Sequence, residues 1–427
     1  MSGSHDIKYD LAVIGTGLAG MSAALFAISR GLSIVQAGST GEIIFASGLL
    51  DLMGVHPLQK KKFWNDPWAA IDALVRDFPN HPYAKLRKED IRTAFNEVLW
   101  FLQEAGLPYN RRKEKNSGVI TPMGTIKSTY CVPQTMWNGV QALEKKSPCL
   151  LIDIRGLKGF SAHQIASTLR NRWPGLRTAR IDFPGTEHSS EIQTEHMASA
   201  LVLSKNRKKF AQTLRRHIKH DHAVGMPAIL GLYRSKEVVA ELENQIGVSI
   251  FEIPTMPPSV PGLRLKEAFE RRLREQGVKL YSKKRVLEVQ VSNGCFILSI
   301  GTTKTDHTVR ASGVILASGR FIGKGLHADR KHIRETIFDL PVYQPADRAS
   351  WHRDEFLDPR GHPINRAGLE IDNHFRPLDS SGRPAYETLF AAGSILAHQD
   401  WMRQKCGAGL AIASAHASVN AYLKLWK

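Results

Sequence analysis

The chain of 427 residues contains little cysteine, which limits the metal chemistry that it can support. Its four cysteines stand far apart, and no two form a CxxC pair: Cys131, Cys149, Cys295 and Cys406. Iron–sulfur clusters and structural zinc sites need closely spaced cysteines, so we predict neither and name no metal ligand. Because no signal-peptide pattern is present, we expect reduced cysteines and a cytoplasmic location.

Long hydrophobic runs are also missing. The most apolar window, residues 11–28, contains three glycines and is better explained by the glycine-rich unit described below. A membrane-spanning helix needs about 20 consecutive apolar residues. We therefore predict no such helix, and we expect any contact with the inner face of the cell membrane to be made through a partner subunit.

Acidic residues are few relative to basic ones. The chain has 40 Asp and Glu against 58 Lys and Arg, and its formal net charge is +18. Such an excess favours anionic substrates, acidic partner subunits or an anionic membrane surface. The basic residues form scattered clusters, such as residues 60–62 and 205–209, and no nucleic-acid-binding motif accompanies them. We therefore predict that the chain binds no nucleic acid.

What the chain does contain is a glycine-rich turn near its N-terminus, between an apolar run at 11–14 and a small-residue helix predicted over 21–30. The first glycine of such a turn bends the chain, the second lets a phosphate approach, and the third lets the helix pack on the strand. The alternative is a buried helix with glycines for packing. We predict a phosphate-binding turn formed by Gly15, Thr16, Gly17, Leu18, Ala19 and Gly20.

The acid that many dinucleotide-binding proteins place at the end of the second strand is absent. The second strand is predicted over 32–35, and Gln36 follows it. An Asp or Glu at that end holds the ribose hydroxyls of an adenosine. We therefore predict Gln36 beside the phosphate site, and its lack of a carboxylate argues against a bound adenosine.

The loop after this strand offers further cofactor contacts. We predict that Ser39 touches phosphate or sugar, and that Ser47 and Gly48 belong to a small-residue loop that approaches a flavin. The sequence leaves open the alternative of a surface loop followed by a short helix.

A segment in the second half of the chain is predicted to return to the same site. Strands at 285–291, 295–300 and 308–310 form a three-stranded meander of the kind that often interrupts a flavoprotein sheet. The next apolar strand ends in three small residues that would pass near the phosphate: Ala317, Ser318 and Gly319.

The last strand, predicted over 389–392, ends at Gly393 and Ser394. A turn then opens a long small-residue helix at Gly407, Ala408 and Gly409. In flavoproteins such a helix points its positive N-terminal end at the pyrimidine edge of the flavin. The alternative is a packed alanine-rich helix with a glycine cap.

These patterns predict an α/β protein with a Rossmann-like FAD/NAD(P)-binding fold, a three-stranded meander and an inserted α/β domain. The first part of the flavin-binding domain is predicted over 1–149. The inserted domain, with alternating buried strands and helices, is predicted over 150–255. Residues 256–427 would complete the sheet and the flavin site.

Few residues are candidates for chemistry. His398, just after the last strand, is predicted as an acid or base near the flavin, or as a partner in a structural hydrogen bond. Arg264 and Arg320 are predicted to pair with a substrate phosphate or a flavin phosphate, or to be surface or helix-end charges.

Eight motifs are spread over nearly the whole chain: GTGLAG (15–20), FASGLLDL (45–52), HPY (81–83), TPMGTIKST (121–129), PTMPPSVPGLRL (254–265), ILASGRF (315–321), LFAAGS (389–394) and CGAGLA (406–411). With these motifs the sequence resembles the B subunits of the anaerobic glycerol-3-phosphate dehydrogenases. The resemblance implies an FMN-carrying flavoprotein beside an FAD-containing catalytic A subunit and an iron–sulfur C subunit that docks the pair at the membrane. Gln36 in place of an acid agrees with FMN in this chain, and FAD is the alternative.

The resemblance also implies an activity. The complex would oxidise sn-glycerol 3-phosphate to dihydroxyacetone phosphate and pass electrons to menaquinone, in fumarate or nitrate respiration. We favour an electron relay for this chain, provided that the A subunit is the dehydrogenase. Two other functions stay open: a free-standing flavin oxidoreductase on another anionic substrate, and a non-catalytic scaffold subunit. The net charge of +18 is not a feature that we associate with the family.

Overall fold

The computed structural model describes residues 8–39, 42–186 and 189–425. In this part of the chain the α-helices are α1 (Leu18–Ile28), α2 (Pro67–Asp77), α3 (Lys88–Glu104), α4 (Gln134–Lys145), α5 (Ala162–Leu169), α6 (Thr194–Ala200), α7 (Ser204–Arg215), α8 (Ser235–Ile246), α9 (Val260–Glu275), α10 (Trp401–Gln404) and α11 (Gly407–Lys424). None of these helices is long and apolar enough to cross a membrane.

The strands of the same described residues are β1 (Lys8–Ile14), β2 (Ile34–Gly38), β3 (Tyr109–Arg111), β4 (Ser117–Ile120), β5 (Ile126–Thr129), β6 (Cys131–Pro133), β7 (Cys149–Ile154), β8 (Leu176–Ile181), β9 (Ala223–Pro227), β10 (Ser249–Ile253), β11 (Lys279–Ser282), β12 (Arg285–Ser292), β13 (Cys295–Gly301), β14 (Thr305–Leu316), β15 (Leu326–Ala328), β16 (Ile333–Glu335) and β17 (Leu389–Ala391).

The chain divides into two units, and their boundaries differ from the predicted ones. The first unit comprises residues 1–42, 51–99 and 269–427, and the second comprises residues 43–50 and 100–268. The second unit starts well before residue 150 because α4 packs on the same sheet as the later strands. A Cβ at Gly139 of α4 would lie 2.5 Å from the ring of Phe251 in β10.

The first unit is built on a sheet of order β11-β2-β1-β14-β13-β12, in which β17 also pairs with β14. Strands β11, β2, β1, β14 and β17 run parallel to their neighbours. Strands β12, β13 and β14 form an antiparallel meander. The predicted Rossmann-like sheet and its meander are therefore confirmed.

Strand β14 joins the meander to the parallel sheet. Its first residues pair with β13, and from Lys8↔Arg310 to Ile14↔Leu316 it pairs with β1. Its burial follows this change: the residues before Val309 are exposed, and those from Ala311 onward are buried. The strand therefore carries the chain from a solvated ribbon into the core and ends beside Ile14, at the carboxyl edge where ligands of such sheets bind.

Helices α1 and α11 pack together and against this sheet, because small residues let the backbones approach. Helix α1 is buried from Ala19 to Ala27. In α11 the Tyr422 ring lies over Gly313 of β14, where a Cβ would be 2.6 Å from the ring. The Tyr422 hydroxyl donates to the carbonyl oxygen of Asp10 at 2.8 Å, which fixes the helix to β1.

The second unit contains a parallel sheet of order β10-β9-β7-β8, with helices on both faces. Ile152, Val224 and Phe210 belong to the apolar cluster on one face. Leu151 and Phe251 belong to the cluster on the other face. Burial on both faces explains why these strands read as continuous apolar runs in the sequence.

Replacing Gly313 with Ala tests the packing of α11 on β14. Alanine is intrinsically better than glycine in a strand by roughly 0.5–1 kcal/mol. The added Cβ nevertheless overlaps the Tyr422 ring, so we expect a net loss of about 1–2 kcal/mol in the free energy of unfolding, measured with denaturant. The control is Gly175→Ala, whose Cβ would have its nearest neighbour at 3.5 Å. A Gly313→Ala protein as stable as the control would contradict the contact.

Candidate functional site

The turn after β1 is shaped by backbone contacts that exclude side chains. Gly15 has a φ of +123°, and a Cβ there would overlap the carbonyl oxygen of Ala317. The Gly15 N–H donates to the carbonyl oxygen of Ala37 at 2.8 Å. Gly17 differs, because its φ is −76° and a Cβ there would meet nothing within 4 Å. Gly17 therefore faces open space in this structure.

Helix α1 begins directly at this turn with an unsatisfied N-terminus. Gly17 is its N-cap, no side chain caps it, and its first turn contains no acidic residue. The first N–H groups of a helix lack intrahelical acceptors, and the helix dipole adds a partial positive charge there. This end of α1 therefore suits an anion such as a phosphate.

Gln36 does not stand at the end of the second strand as predicted. Strand β2 continues to Gly38, and Gln36 is fully buried within it. Its Nε2 donates to the carbonyl oxygen of Gly15 at 2.8 Å. Gln36 thus supports the turn from behind and does not face a ligand. The prediction misplaced it because the apolar run at 32–35 was taken as the whole strand.

Strand β2 ends at Gly38 and not at the predicted residue 35, and the residue at its end is again not an acid. A Cβ at Gly38 would overlap the side chain of Thr16, so no side chain fits there. The next residue is Ser39, which is half-buried. Residues 37–39 therefore offer no carboxylate at the position where dinucleotide-binding proteins hold an adenosine ribose, and the close approach of Thr16 leaves no room for one at Gly38.

The segment after β14 lies against the turn. Ala317 donates its N–H to the carbonyl oxygen of Ile14 at 2.8 Å. The Oγ of Ser318 is buried and has no hydrogen-bond partner among the described residues. Gly319 has a φ of +72°. The following turn folds back closely, since a Cβ at Gly325 would lie 2.5 Å from the Ser318 Oγ.

The end of β17 reaches the same place from the other side. A Cβ at Gly393 would lie 2.6 Å from the Cβ of Ala19, at the start of α1. The Gly393 N–H donates to Ser414 Oγ in α11 at 2.9 Å. The next residue, Ser394, is half-buried. The structure therefore brings the turn after β1, the end of β14 and the end of β17 together at one edge of the sheet.

Helix α11 also starts without a side-chain cap. Gly407 packs under the ring of Trp401, 2.8 Å from where a Cβ would lie, while Ala408 is half-buried. A Cβ at Gly409 would overlap the Tyr83 hydroxyl, and the Gly409 N–H donates to the carbonyl oxygen of Asp51 at 2.7 Å. The Asp51 contact and the Tyr83 contact fix the position of this helix end.

His81 and Tyr83 support that helix end and were not predicted as site residues. His81 Nδ1 accepts the N–H of Tyr83 at 3.2 Å, so its Nε2 carries the proton and donates to Gln404 Oε1 at 3.4 Å. The Tyr83 hydroxyl donates to the carbonyl oxygen of Leu52 at 2.7 Å. The HPY motif was the only sequence signal for this network.

Burial lowers the pKa of His81 to about 3, so the ring is neutral near pH 7. Burial likewise raises the pKa of the Tyr83 hydroxyl well above its usual value and raises the pKa of the Cys406 thiol. All three groups are therefore uncharged around the start of α11. The helix dipole meets no opposing charge from them.

Arg320 is not an exposed phosphate-binding charge. Its side chain is almost fully buried, and Nε donates to the carbonyl oxygen of Ser394 at 2.6 Å. Nη2 donates to the carbonyl oxygens of Leu396 and Gln399 at 3.1 and 3.0 Å, and Nη1 donates to that of Asn365. The guanidinium thus holds the loop after β17 and is not available to a substrate, which corrects the predicted role.

Arg264 is likewise corrected. It lies in the second unit, is 3% exposed, and pairs through both terminal nitrogens with Glu252 at 2.6 and 2.7 Å. Its Nε donates to the carbonyl oxygen of Gly231 at 2.7 Å. A guanidinium that is saturated in this way is neither a surface charge nor a phosphate ligand.

His398 makes the structural hydrogen bond that was the predicted alternative to catalysis. Its Nε2 lies 2.9 Å from an Oε1 of Glu370, and its ring packs against Tyr343 at 4.1 Å between centroids. Its backbone has a φ of +64°, and its N–H donates to the carbonyl oxygen of Arg366. A catalytic role for His398 stays a prediction.

Ser47 and Gly48 belong to the second unit. Gly48 has a φ of +82°, and a Cβ there would lie 2.6 Å from the Cβ of Pro261. Its carbonyl oxygen accepts the Tyr109 hydroxyl at 2.7 Å. Their contact with a flavin stays a prediction.

Comparison with known proteins assigns the chain to a family. The model of the FAD binding domain family matches residues 10–410. The B subunit of the anaerobic glycerol-3-phosphate dehydrogenase of Vibrio vulnificus strain YJ016 is 30% identical over 425 residues, which is 97% of this chain and 96% of that protein. The B subunit of Yersinia pseudotuberculosis is 30% identical over 420 residues, 96% of each chain. The chain belongs to the family of anaerobic glycerol-3-phosphate dehydrogenase B subunits.

This membership confirms the resemblance found in the sequence, and it makes the chain a flavoprotein of the oxidoreductase class. Among solved structures, the 3-ketosteroid Δ1-dehydrogenase from Sterolibacterium denitrificans, in complex with 1,4-androstadiene-3,17-dione, is 12% identical. It aligns over 98% of this chain and 100% of that one, with a TM-score of 0.44.

The edge of the sheet fits the phosphate of a flavin. The N-terminus of α1 offers N–H groups, Gly17 faces open space, and the buried Ser318 Oγ lacks a partner among the described residues. Each is a feature that an anionic ligand would satisfy. Residues 37–39, where β2 ends, are Ala, Gly and Ser and offer no carboxylate.

Gly17→Ala tests the phosphate site with little disturbance of the fold. The backbone at Gly17 is extended, so alanine is allowed there and costs at most about 1 kcal/mol as a poorer N-cap. Its methyl group occupies the space where a phosphate would approach. We expect flavin to bind at least about tenfold more weakly, about 1.4 kcal/mol, measured by flavin fluorescence on the apoprotein. Gly175→Ala is the control, and equal affinity in both variants would contradict the site.

The buried His81 makes stability depend on pH in a defined direction. Because its folded pKa lies near 3 and its unfolded pKa near 6.5, the unfolded chain binds the extra proton, and stability falls as pH drops from about 6.5 towards 3. At pH 5 the expected loss from this group is about 2 kcal/mol relative to pH 7. His81→Gln should be less stable at pH 7 but lose correspondingly less between pH 7 and 5. Parallel pH profiles for both proteins, measured by denaturant unfolding, would disprove a neutral buried His81.

Proposed function

We infer that this chain is the FMN-carrying electron-relay subunit of an anaerobic glycerol-3-phosphate dehydrogenase. In this proposal an FAD-containing A subunit oxidises sn-glycerol 3-phosphate to dihydroxyacetone phosphate. This chain receives the electrons, and an iron–sulfur C subunit passes them towards menaquinone at the membrane. The names of the curated relatives, which call them the B subunit of this enzyme, support the assignment.

The relay role is supported by one observation: the side chains predicted to bind or deprotonate a substrate are already bonded to other groups of the protein. Arg320 donates to four backbone carbonyl oxygens, and Arg264 is paired with Glu252. His398 is paired with Glu370. Substrate oxidation would need a cation for the phosphate and a base for the hydroxyl proton. The three residues predicted for these tasks are engaged elsewhere, which favours electron transfer over substrate chemistry.

The preference for FMN is supported by the end of β2. FMN has one phosphate and no adenosine, so it needs neither a ribose-binding carboxylate nor space beside Gly38. Thr16 occupies that space, and the residues at the strand end are Ala37, Gly38 and Ser39. A single phosphate at the N-terminus of α1 would use the contacts that the structure offers.

The residues of this chain would bind and tune the cofactor. A flavin supplies both hydride and single-electron chemistry when bound. The N–H groups at the start of α1 would hold its phosphate. The start of α11, held by Asp51 and Tyr83, would place a positive dipole end where negative charge develops on reduction. His81 is neutral and therefore adds no charge of its own at that helix end.

The cofactor of the purified full chain tests the proposal. We expect a yellow protein from which denaturation releases FMN, identified by chromatography. We also expect that, in the absence of oxygen, glycerol 3-phosphate does not bleach the flavin until an FAD-containing partner is added. The reason is that the chain relays electrons and does not oxidise the substrate. Bleaching is read from the visible spectrum.

Each alternative has its own outcome in this test. Bound FAD would contradict the inference from Gly38 and Thr16. Bleaching by glycerol 3-phosphate without a partner would contradict the relay role. A colourless protein that takes up neither flavin would point to the scaffold alternative.

A further inference from the structure

The positive charge of the chain has a local centre in the second unit. Residues 100–268 contain 24 Lys and Arg against 14 Asp and Glu, whereas residues 43–50 contain no charged residue. The densest basic segment is helix α7 with the residues that follow it. The function proposed above assigns no role to this helix.

Four cations of α7 and its C-cap lie on one face of the helix, whereas Arg207 lies on another side and pairs with Glu241. With 3.6 residues per turn, the side chains of this face fall within an arc of about 120° and extend about 17 Å along the helix. We call this set the basic face; its members are exposed, and they are Lys205, Lys208, Lys209, Gln212 and Arg216. The opposite side of the helix, with Phe210 and Leu214, is buried in the core. The basic face is therefore fixed in orientation by packing behind it.

The acids of the neighbouring helix α8 pair mainly with residues outside the basic face, although Lys208, after Arg207, also helps to lower the pKa of Glu241. Glu241 accepts from Arg207, Ser204 and Gln245, and Glu237 pairs with Arg234. Arg215, at the edge of the face, donates to the carbonyl oxygen of Gln245. Among the described residues, the four cations of the basic face make no ion pair within 4 Å. Their charge is therefore directed outward.

We propose that the basic face of α7 docks on an anionic lipid surface. The face contains lysine, arginine and glutamine, and no aromatic or large apolar side chain. Protein–protein interfaces place aromatic and large apolar side chains at their centre, and sites for single-stranded nucleic acids need aromatic rings on which the bases stack. Adsorption to an anionic bilayer needs only positive charge close to the headgroups, and each Lys or Arg there strengthens binding by about fivefold.

This contact adds to the proposed function, in which only a partner subunit reaches the membrane. It depends on the charge and packing of α7 alone. Because the apolar side of α7 is buried, docking would leave the helix in place and would insert nothing into the bilayer. We therefore expect binding that is reversible and weakened by salt.

Vesicle sedimentation with the full-length protein tests the proposal. The vesicles contain phosphatidylglycerol and phosphatidylcholine, or phosphatidylcholine alone. The test variant carries Lys205→Gln, Lys208→Gln, Lys209→Gln and Arg216→Gln. The matched control removes the same charge from exposed lysines elsewhere: Lys60→Gln, Lys115→Gln, Lys304→Gln and Lys331→Gln. We expect binding to anionic vesicles only, at least about thirtyfold weaker in the test variant and less than about threefold weaker in the control.

Three results would overturn the proposal. Equal losses in both variants would mean that only the net charge matters. Binding to phosphatidylcholine alone would exclude an electrostatic contact. Duplex DNA that displaces the protein from vesicles at equal phosphate concentration would assign the face to a nucleic acid. Flavin content is measured in parallel, and its loss in either variant would concern the cofactor site and not this face.

The double variant Lys205→Gln with Lys209→Gln provides a second measurement, because it removes half of the charge with less risk to folding. We expect an intermediate loss of at least about fivefold. Unchanged binding in a folded double variant, checked by its unfolding transition, would contradict the proposal.

Discussion

The structure of the first unit depends on the close approach of backbone segments at the carboxyl edge of its parallel sheet. Gly15 touches the carbonyl oxygen of Ala317, and Gly393 touches Ala19. Side chains at these glycines would push apart the ends of β1, β14 and β17. Because these strand ends are in contact, the N-termini of α1 and α11 lie at the same edge of the sheet, where a phosphate and a flavin ring can be bound.

Two buried polar side chains help to hold this arrangement. Arg320 collects the carbonyl oxygens of the loop after β17, and neutral His81 connects the HPY segment to Gln404 before α11. Buried groups of this kind are costly to leave unpaired, so they position loops more than they meet substrates. This use of polar residues favours a chain that binds and tunes a cofactor over one that carries out substrate chemistry.

The sequence predicted the glycine-rich unit, the meander and the return of the chain to the first strand, because glycine spacing and apolar runs are local signals. It misplaced the end of β2, since Gln36 is polar yet fully buried within the strand. It also offered Arg264 and Arg320 as phosphate ligands, because burial among distant carbonyl and carboxylate oxygens cannot be read from neighbouring residues. The start of the second unit was missed for the same reason: the contact between Gly139 and Phe251 joins segments far apart in the chain.

The central claim is that the start of α1 holds one flavin phosphate. Phosphorus NMR of the purified, cofactor-loaded protein tests it most directly. We predict a single phosphate-monoester signal that is shifted from free FMN, and we predict that this signal moves towards the free position in Gly17→Ala. A pair of pyrophosphate signals, or a monoester signal that Gly17→Ala leaves unchanged, would contradict the account.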